Sequence, residues 1–349
     1  MKQTANAIPA NDPQEIEKLW NEILTKNPRT RIRNVADQLQ ISEAQLLATK
    51  VGETVTRLEV DWKSFIKKLP LLGKVMSLTR NKGCVLEHKG IFDKVIVSPH
   101  ATTVIGPIET RAFLHSWAIS FAVTSQTKGK TLKSIQVFDK YGDAITKIYL
   151  QDESDVSVYD ELVKDNTAQD QNKCQAVALK NNEDEYDENF NRLQLKKEWS
   201  QLKDTHDFFG LLRKHRANRL EAIKAVVPEF AHQINKSQIE LVLNTASSTQ
   251  LPIMIFVSNL GNIQIHQDVV KKIVVMENWL NVLDKDFNMH LNMEEVDTAW
   301  VVKKPTTEGI VTSIELFDHN KEMVVQFFGY RKPGQKELTE WKNLLEKLV

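Results

Sequence analysis

The chain has 349 residues, with 46 basic against 46 acidic side chains, 41% hydrophobic and 26% charged residues. That length suits two domains of ordinary size better than one core. Zero net charge excludes a generalised nucleic-acid or polyanion binder, which carries a basic excess, while leaving room for a local basic pocket. Two cysteines, Cys84 and Cys174, offer no CxxC, zinc spacing or disulfide framework and point to a reducing compartment. The opening MKQTANAIPANDPQEIEKLW lacks the apolar centre of a signal peptide, and no run approaches the roughly 18 apolar residues of a membrane span. The expectation is a soluble, cytoplasmic protein.

In chain order, Trp20–Leu47 carries apolar residues at helical spacing. GCVLEHKGIFDKVIV (Gly83–Val97) reads as two strands with a turn near Lys89-Gly90. Strands over Ser134–Tyr149 turn at Lys140–Asp143, and Val156–Val163 closes the half as a helix. Asp165–Phe190, including NNEDEYDENF, reads as a solvated acidic linker. The plan then recurs: helical spacing over Trp199–Leu243, strands in GNIQIHQDVVKKIVV (Gly261–Val275) with a turn near Gln267-Asp268, strands over Ile310–Phe328 turning at His319–Lys321, and a helix over Glu337–Leu348. Gly83/Gly261, His88/His266 and Lys94/Lys272 coincide 178 positions apart; SIQVFD (Ser134–Asp139) matches SIELFD (Ser313–Asp318) 179 apart, as do Trp20 and Trp199. Matches at nearly one offset predict an internally duplicated α+β protein. Each of its two similar halves packs helices on a mainly antiparallel sheet. The halves are 1–165 and 194–349, joined by the linker 166–193.

Spacing near the start of each half differs. Trp20 lies 16 positions before Ala36 of ADQLQIS, and Trp199 lies 32 before Ala231 of AHQINKS. About sixteen extra residues are therefore expected within Thr205–Val227, a segment that takes in most of LKDTHDFFGLLRKH (202–215). Asp204 reads as an N-cap with Asp207 completing a capping box. His206 then falls in the first helical turn, where the helix dipole favours a neutral imidazole. Phe209 and Gly210 lie on the same face, Gly210 leaving room for a flat group. Arg213 lies one turn on, and Asn218 caps the next helix, which brings Arg219. Two readings stay open here: a surface helix with a half-buried histidine, or a site for something flat, apolar and anionic. Haem is such a ligand, wanting one axial nitrogen, apolar contact and cations for its propionates. His88 and His266 read as solvent-facing hairpin residues, His215 as a helix C-cap, and Trp117, Trp279, Trp300 and Trp341 as core or interface. Lys303-Lys304-Pro305 reads as a surface turn or a phosphate or carboxylate clamp. No HExxH, P-loop, GxGxxG or GxSxG occurs.

RAFLHSWA (Arg111–Ala118), EWSQLKDTHDFFGLLRKH, AWVVKKPT with SIELFD, and QFFGYR (Gln326–Arg331) follow one another across nearly the whole chain. In these motifs the sequence resembles the HemS/ChuS/HmuS haemin-degrading family, the cytoplasmic haemin-handling proteins of Gram-negative haem-uptake operons. The resemblance implies that His206 is the axial ligand of haem b iron and that Arg111 polarises a ligand on the distal face. It implies haem contacts from Phe113, Arg219 (on the propionate side), Lys304, Gln326, Phe328 and Arg331. It further implies oxidative haem degradation that releases iron, with electrons from a separate reductase. The alternative it leaves is a chaperone passing haem from an inner-membrane ABC importer to a separate haem oxygenase or store. With Arg111 in the first half and His206, Lys304 and Arg331 in the second, the expected haem site draws on both. Two departures stand out: Phe328, where the family's QLYGQR motif has tyrosine, and His115, where relatives commonly have asparagine. His115 is expected on Arg111's face of a helix.

Overall fold

The structure, a computed structural model, describes residues 12–127, 129–180, 186–332 and 334–348. The chain forms two compact units, one of Met1–Thr79, His88–Asn181 and Asn259–Asn262, the other of Arg80–Glu87, Asn182–Ser258 and Ile263–Val349. Each therefore includes a short loop from the other half of the sequence. The run 181–185, part of the expected linker, lies outside the described residues.

Unit 1 begins with α1 (Pro13–Lys26), α2 (Ile32–Leu39) and α3 (Glu43–Ala48), followed by β1 (Val55–Leu58), α4 (Trp62–Phe65), a 3-10 turn (Ile66–Leu72) and β2 (Gly73–Arg80). Next along the chain come β3 (Cys84–Gly90), whose residues up to Glu87 belong to unit 2, β4 (Lys94–Val97), β5 (Thr102–Ile105), β6 (Glu109–Ala112), a 3-10 turn (Leu114–Ser116), β7 (Ile119–Thr127), β8 (Lys130–Phe138), β9 (Ala144–Ser154) and α5 (Val156–Asp165). The helix starts are written locally. Asp12 accepts from the amides of Gln14 and Glu15 with Pro13 at the first position, Ser42 and Gln45 form a reciprocal capping box, and Asp155 caps α5. The main ladder runs β1-β7-β8-β9-β2, and β4, β5 and β6 pair as an antiparallel meander. Strand alternation sends Ile135, Val137, Ile148 and Leu150 into a core with Tyr159 and Leu162 of α5. Phe121, Val123 and Phe138 pack instead with Ala44, Leu47 and Ala48 of α3.

Unit 2 contains α6 (Arg192–Trp199), α7 (Asp207–His215), α8 (Arg219–Ala225), β10 (Ala231–Ile234), α9 (Gln238–Ser248), β11 (Ile253–Ser258) and β12 (Asn262–Asp268). Then follow β13 (Ile273–Met276), β14 (Trp279–Leu283), β15 (Phe287–Asn292), β16 (Thr298–Thr306), β17 (Gly309–Phe317), β18 (Met323–Gly329) and α10 (Thr339–Glu346). Its ladder runs β10-β16-β17-β18-β11-β12, antiparallel, with β13, β14 and β15 as a second meander. One face carries Val301, Ile314, Leu316, Val325 and Phe327 against α9 and α10. The other carries Trp300, Val302 and Phe317 against Trp199, Phe208, Leu220 and Ile223. Trp341 of α10 is fully buried where Gly329 lets it approach; a Cβ on Gly329 would lie 2.6 Å from the indole.

The duplication is visible in atomic detail at two turns. Asn81 donates to the carbonyl of Val324 (2.7 Å) and accepts from the amides of Gly83 and Cys84; Asn259 donates to that of Ile145 (2.8 Å) and accepts from Gly261 and Asn262. A carboxamide supplies both a donor and an acceptor at such a turn. A Cβ at Gly83 or Gly261 would strike Val324 or Ile145, which explains the glycine match.

Several expectations are overturned. Among the described residues the second half has no extra segment. α2 and α7 are counterparts, each ending on a left-handed non-glycine residue, Gln40 (φ 56) and Arg216 (φ 48), two residues before the caps of the next helices at Ser42 and Asn218. The ADQLQIS/AHQINKS likeness had set helix α2 against strand β10. The strand pairs around Lys89-Gly90 and Gln267-Asp268 are not hairpins, since β4 pairs with β5 and β13 with β14. RAFLHSWA is strand and 3-10 turn, so Arg111 and His115 share no helix face. His88 and His266 are buried, at 5% and 6% exposure. His266 stacks on Phe287 with centroids 3.6 Å apart, and burial pushes its pKa down to about 4.

Candidate functional site

The site in unit 2 starts from how α7 is held. Phe208 is buried edge-to-face against Trp199 at 4.9 Å. Glu198 at the end of α6 accepts from Lys214 (2.7 Å) and contacts His215 (3.1 Å). Lys214, then Gln194 and His215, hold that carboxyl down at about 2. His215 is thus a fastening between helices.

His206 occupies the N-cap position of α7, not its first turn. Asp204 accepts from the His206 amide (2.8 Å) and bonds its Nδ1 (2.6 Å), while Asp207 accepts from the Asp204 amide (3.1 Å). These bonds to His206, backbone first, with the charge of Arg331, keep the Asp204 carboxyl below the usual range. The imidazole is 92% exposed, and its Nε2 has no partner among the described residues. Next to it, Phe209 is 56% exposed and a Cβ on Gly210 would meet nothing within 4 Å.

Beneath lies a polar hub the sequence reading missed. Glu315 of β17 is wholly buried. It accepts from Nε and Nη2 of Arg219 (2.8 and 2.9 Å), from Lys304, from Ser313 (2.9 Å) and from Gln326 (3.2 Å). Alternation on β16, β17 and β18 puts Lys304, Ser313, Glu315 and Gln326 on the helix-covered face. The Arg219 guanidinium lies 4.9 Å from the Phe208 ring and 5.7 Å from that of Phe209, and Lys304 lies 4.9 Å from Phe208. Burial raises the cost of ionising Glu315, yet Arg219 and Lys304 hold its carboxyl well below the ordinary range. Burial pushes Lys304 down to about 8, against the pull of Glu315. Lys303-Lys304-Pro305 is therefore no surface turn; Lys304 clamps a carboxylate of the protein itself.

Three expected site residues, Arg219, Lys304 and Gln326, thus converge on one carboxylate. Phe328, two residues beyond Gln326, meets Phe256 edge-on at 5.2 Å. Arg331 follows β18, half-buried. Arg111 and Phe113 belong to unit 1. Arg111 donates to Glu109 (2.9 Å) and to the carbonyls of Thr110 (3.2 Å) and Val104 (3.4 Å). The Phe113 amide donates to the carbonyl of Gly261. A cleft of about 440 Å³ in unit 1, bordered by Arg57, Trp62, Trp117 and Asp170, contains none of the expected site residues. The signal for Glu315 lay in the repeat: SIQVFD has Gln136 where SIELFD has Glu315.

Residues 40–166 and 216–348 each match the family model of the haemin-degrading HemS.ChuX domain; His206 precedes the second match. The chain is 31% identical over 326 residues to the hemin transport protein HmuS of Yersinia pestis (93% of this chain, 94% of HmuS). It is 32% identical over 324 residues to the hemin transport protein HemS of Yersinia enterocolitica (92% and 94%). Among solved structures it superposes on holo-PhuS, a heme-binding protein from Pseudomonas aeruginosa, with TM-score 0.93, 38% identity and coverage of 97% and 99%. The heme-degrading enzyme ChuS of Escherichia coli O157:H7 gives TM-score 0.89, 30% identity and coverage of 97% and 100%. A duplicated α+β chain matched twice by one domain model, and aligned with these relatives along nearly all its length, belongs to the HemS.ChuX family.

Proposed function

We propose that this chain binds haem as substrate, with His206 as the axial iron ligand, and opens the macrocycle oxidatively to release iron. The observation that carries the reading is the His206 imidazole, exposed, tied at Nδ1 by Asp204 and with no Nε2 partner among the described residues. A carboxylate on Nδ1 fixes the tautomer with its lone pair on Nε2 and raises ligand basicity. One protein nitrogen suffices for an iron that a macrocycle already holds. Exposed Phe209 and the open space at Gly210 fit a flat apolar body. Arg219 and Lys304 outweigh Glu315 by one positive charge and favour propionates. Haem, when bound, supplies the iron and the redox chemistry of ring opening. In this reading Gln326, Phe328 and Arg331 line the same site. Arg111, with Phe113 beside it, takes the distal role: its guanidinium stays protonated and cannot ligate iron, but it can donate to an anionic ligand. Electrons come from a separate reductase. The protein works in the cytoplasm; no helix among the described residues is long and apolar enough to cross a membrane.

A second reading, a chaperone taking haem from an inner-membrane ABC importer to a haem oxygenase or store, is favoured by the 92% exposure of His206, which suits hand-over. Haemin-loaded protein given ascorbate, or NADPH with a reductase, in the presence of catalase separates them. Loss of the Soret band with a defined tetrapyrrole product supports degradation; a persistent band with transfer to a partner supports the chaperone. His206→Ala should shift the Soret maximum and weaken haem binding beyond the roughly 10–100-fold cost of losing an outer-shell partner. An unchanged spectrum and affinity removes His206 from the ligand role.

A further inference from the structure

Arg219 presents two edges, and the described residues use one of them. A guanidinium has five donors arranged as a fork. Nε and Nη2 close on Glu315, whereas Nη1 has no partner among the described residues. Arg219 is not sealed in, since its side chain is 16% exposed above a carboxylate that is 0% exposed. The guanidinium also lies 4.9 Å from the Phe208 ring and 5.7 Å from the Phe209 ring. Lys304 cannot serve as the outward contact, because its side chain is 3% exposed and bonded to Glu315. Its charge keeps that carboxylate ionised in place.

We propose that Glu315 is the positioning residue of a carboxylate subsite: it locks the inner edge of Arg219 so that the outer edge receives one carboxylate of an anionic tetrapyrrole. The inference rests on the haem reading above. Unit 1 has Gln136 in the place of Glu315. Without the lock, Arg219 becomes a long, rotamer-rich side chain that must be ordered by the ligand itself. A carboxylate–guanidinium contact is then weaker by the entropy of that ordering.

The test uses the full chain and two probes, haemin and haemin dimethyl ester, titrated by Soret absorbance in one detergent buffer. Wild-type protein should prefer haemin. In Glu315→Gln the ratio of haemin to diester affinity should fall about tenfold, the scale of one charge-assisted hydrogen bond. The ferric Soret maximum should stay put, because His206 is untouched. If Glu315→Gln does not fold, Glu315→Asp keeps the charge, shortens the reach by one methylene and should lower the same ratio. A merely structural role would weaken both probes equally and leave the ratio unchanged, overturning the proposal. Wild-type protein that binds both probes equally overturns this inference alone. Wild-type protein that binds neither overturns the haem reading, and the inference falls with it.

Discussion

The two units bury the same polar contact with opposite signs. In unit 1 the base is on the sheet and the acid on the helix: Lys147 of β9 pairs with Glu43 at the start of α3, at 7% and 3% exposure. In unit 2 the acid is on the sheet and the base on the helix: Glu315 of β17 pairs with Arg219 at the start of α8. Arg219 stands 176 positions after Glu43, Glu315 stands 179 after Gln136, and Gln326 stands 179 after Lys147. A buried ion demands its counter-ion, so the helix position cannot change sign unless a strand changes with it. Unit 2 also carries Lys304 where unit 1 has Ser125. Unit 1 therefore holds a buried pair of zero net charge, and unit 2 holds a cluster with one cation in excess and one guanidinium edge without a partner among the described residues. The scaffold is shared; in the proposed reading the excess charge turns a packing contact into an anion site.

The largest effect tests whether the unit 1 pair is structural only. Lys147→Met removes the buried cation that faces the Glu43 carboxylate and should cost about 3–5 kcal/mol of stability in urea unfolding. Haem affinity of the folded variant should be unchanged. A loss of haem affinity would mean that the neutral pair also serves the ligand, and the contrast between the units would fail.

That contrast was only partly legible in the sequence. The sheets were, because SIQVFD and SIELFD keep one offset through β8 and β17 and strand alternation does the rest. Asn218 as a helix cap and the closing helices α5 and α10 were also readable, since caps and helical periodicity are local signals. The helical starts were not, because the offset drops from 179 to 176 there and a chance likeness matched a helix to a strand. Glu315 escaped because its partners lie 96 positions before it (Arg219) and 11 to either side (Lys304, Gln326). Only the fold brings those together. The buried histidines were misread for the same reason: a polar residue alternating on a strand looks solvent-facing until the covering layer is known.

His266 gives the next effect, and it belongs to unit 2. Its folded pKa of about 4 lies below the ordinary 6.5 of the unfolded chain. The unfolded chain therefore binds the extra proton between those values, so stability is complete above pH 6.5 and is lost as pH falls toward 4. The loss from this group amounts to about 3 kcal/mol. Urea unfolding at pH 7 and pH 4 should show that much less acid sensitivity in His266→Gln than in wild type. Equal pH slopes would show that the stacked imidazole is not held neutral.

The smallest effect sharpens the comparison at the edge of the polar face. Phe328 stands where unit 1 has Tyr149, 179 positions earlier, and each is paired in register with a serine, Ser313 or Ser134. It is also where the resembled family motif has tyrosine. Phe328→Tyr keeps the ring that meets Phe256 and adds one hydroxyl on the face that bears Gln326. If that face meets the haem periphery, the hydroxyl gains one hydrogen bond, worth about 1 kcal/mol or roughly fivefold in affinity. Titration of Phe328→Tyr with haemin should show that gain, while the diester should show less of it if the partner is a propionate. No gain with either probe would place position 328 among the apolar contacts, leaving the charge excess at Arg219 and Lys304 as the polar feature that distinguishes unit 2.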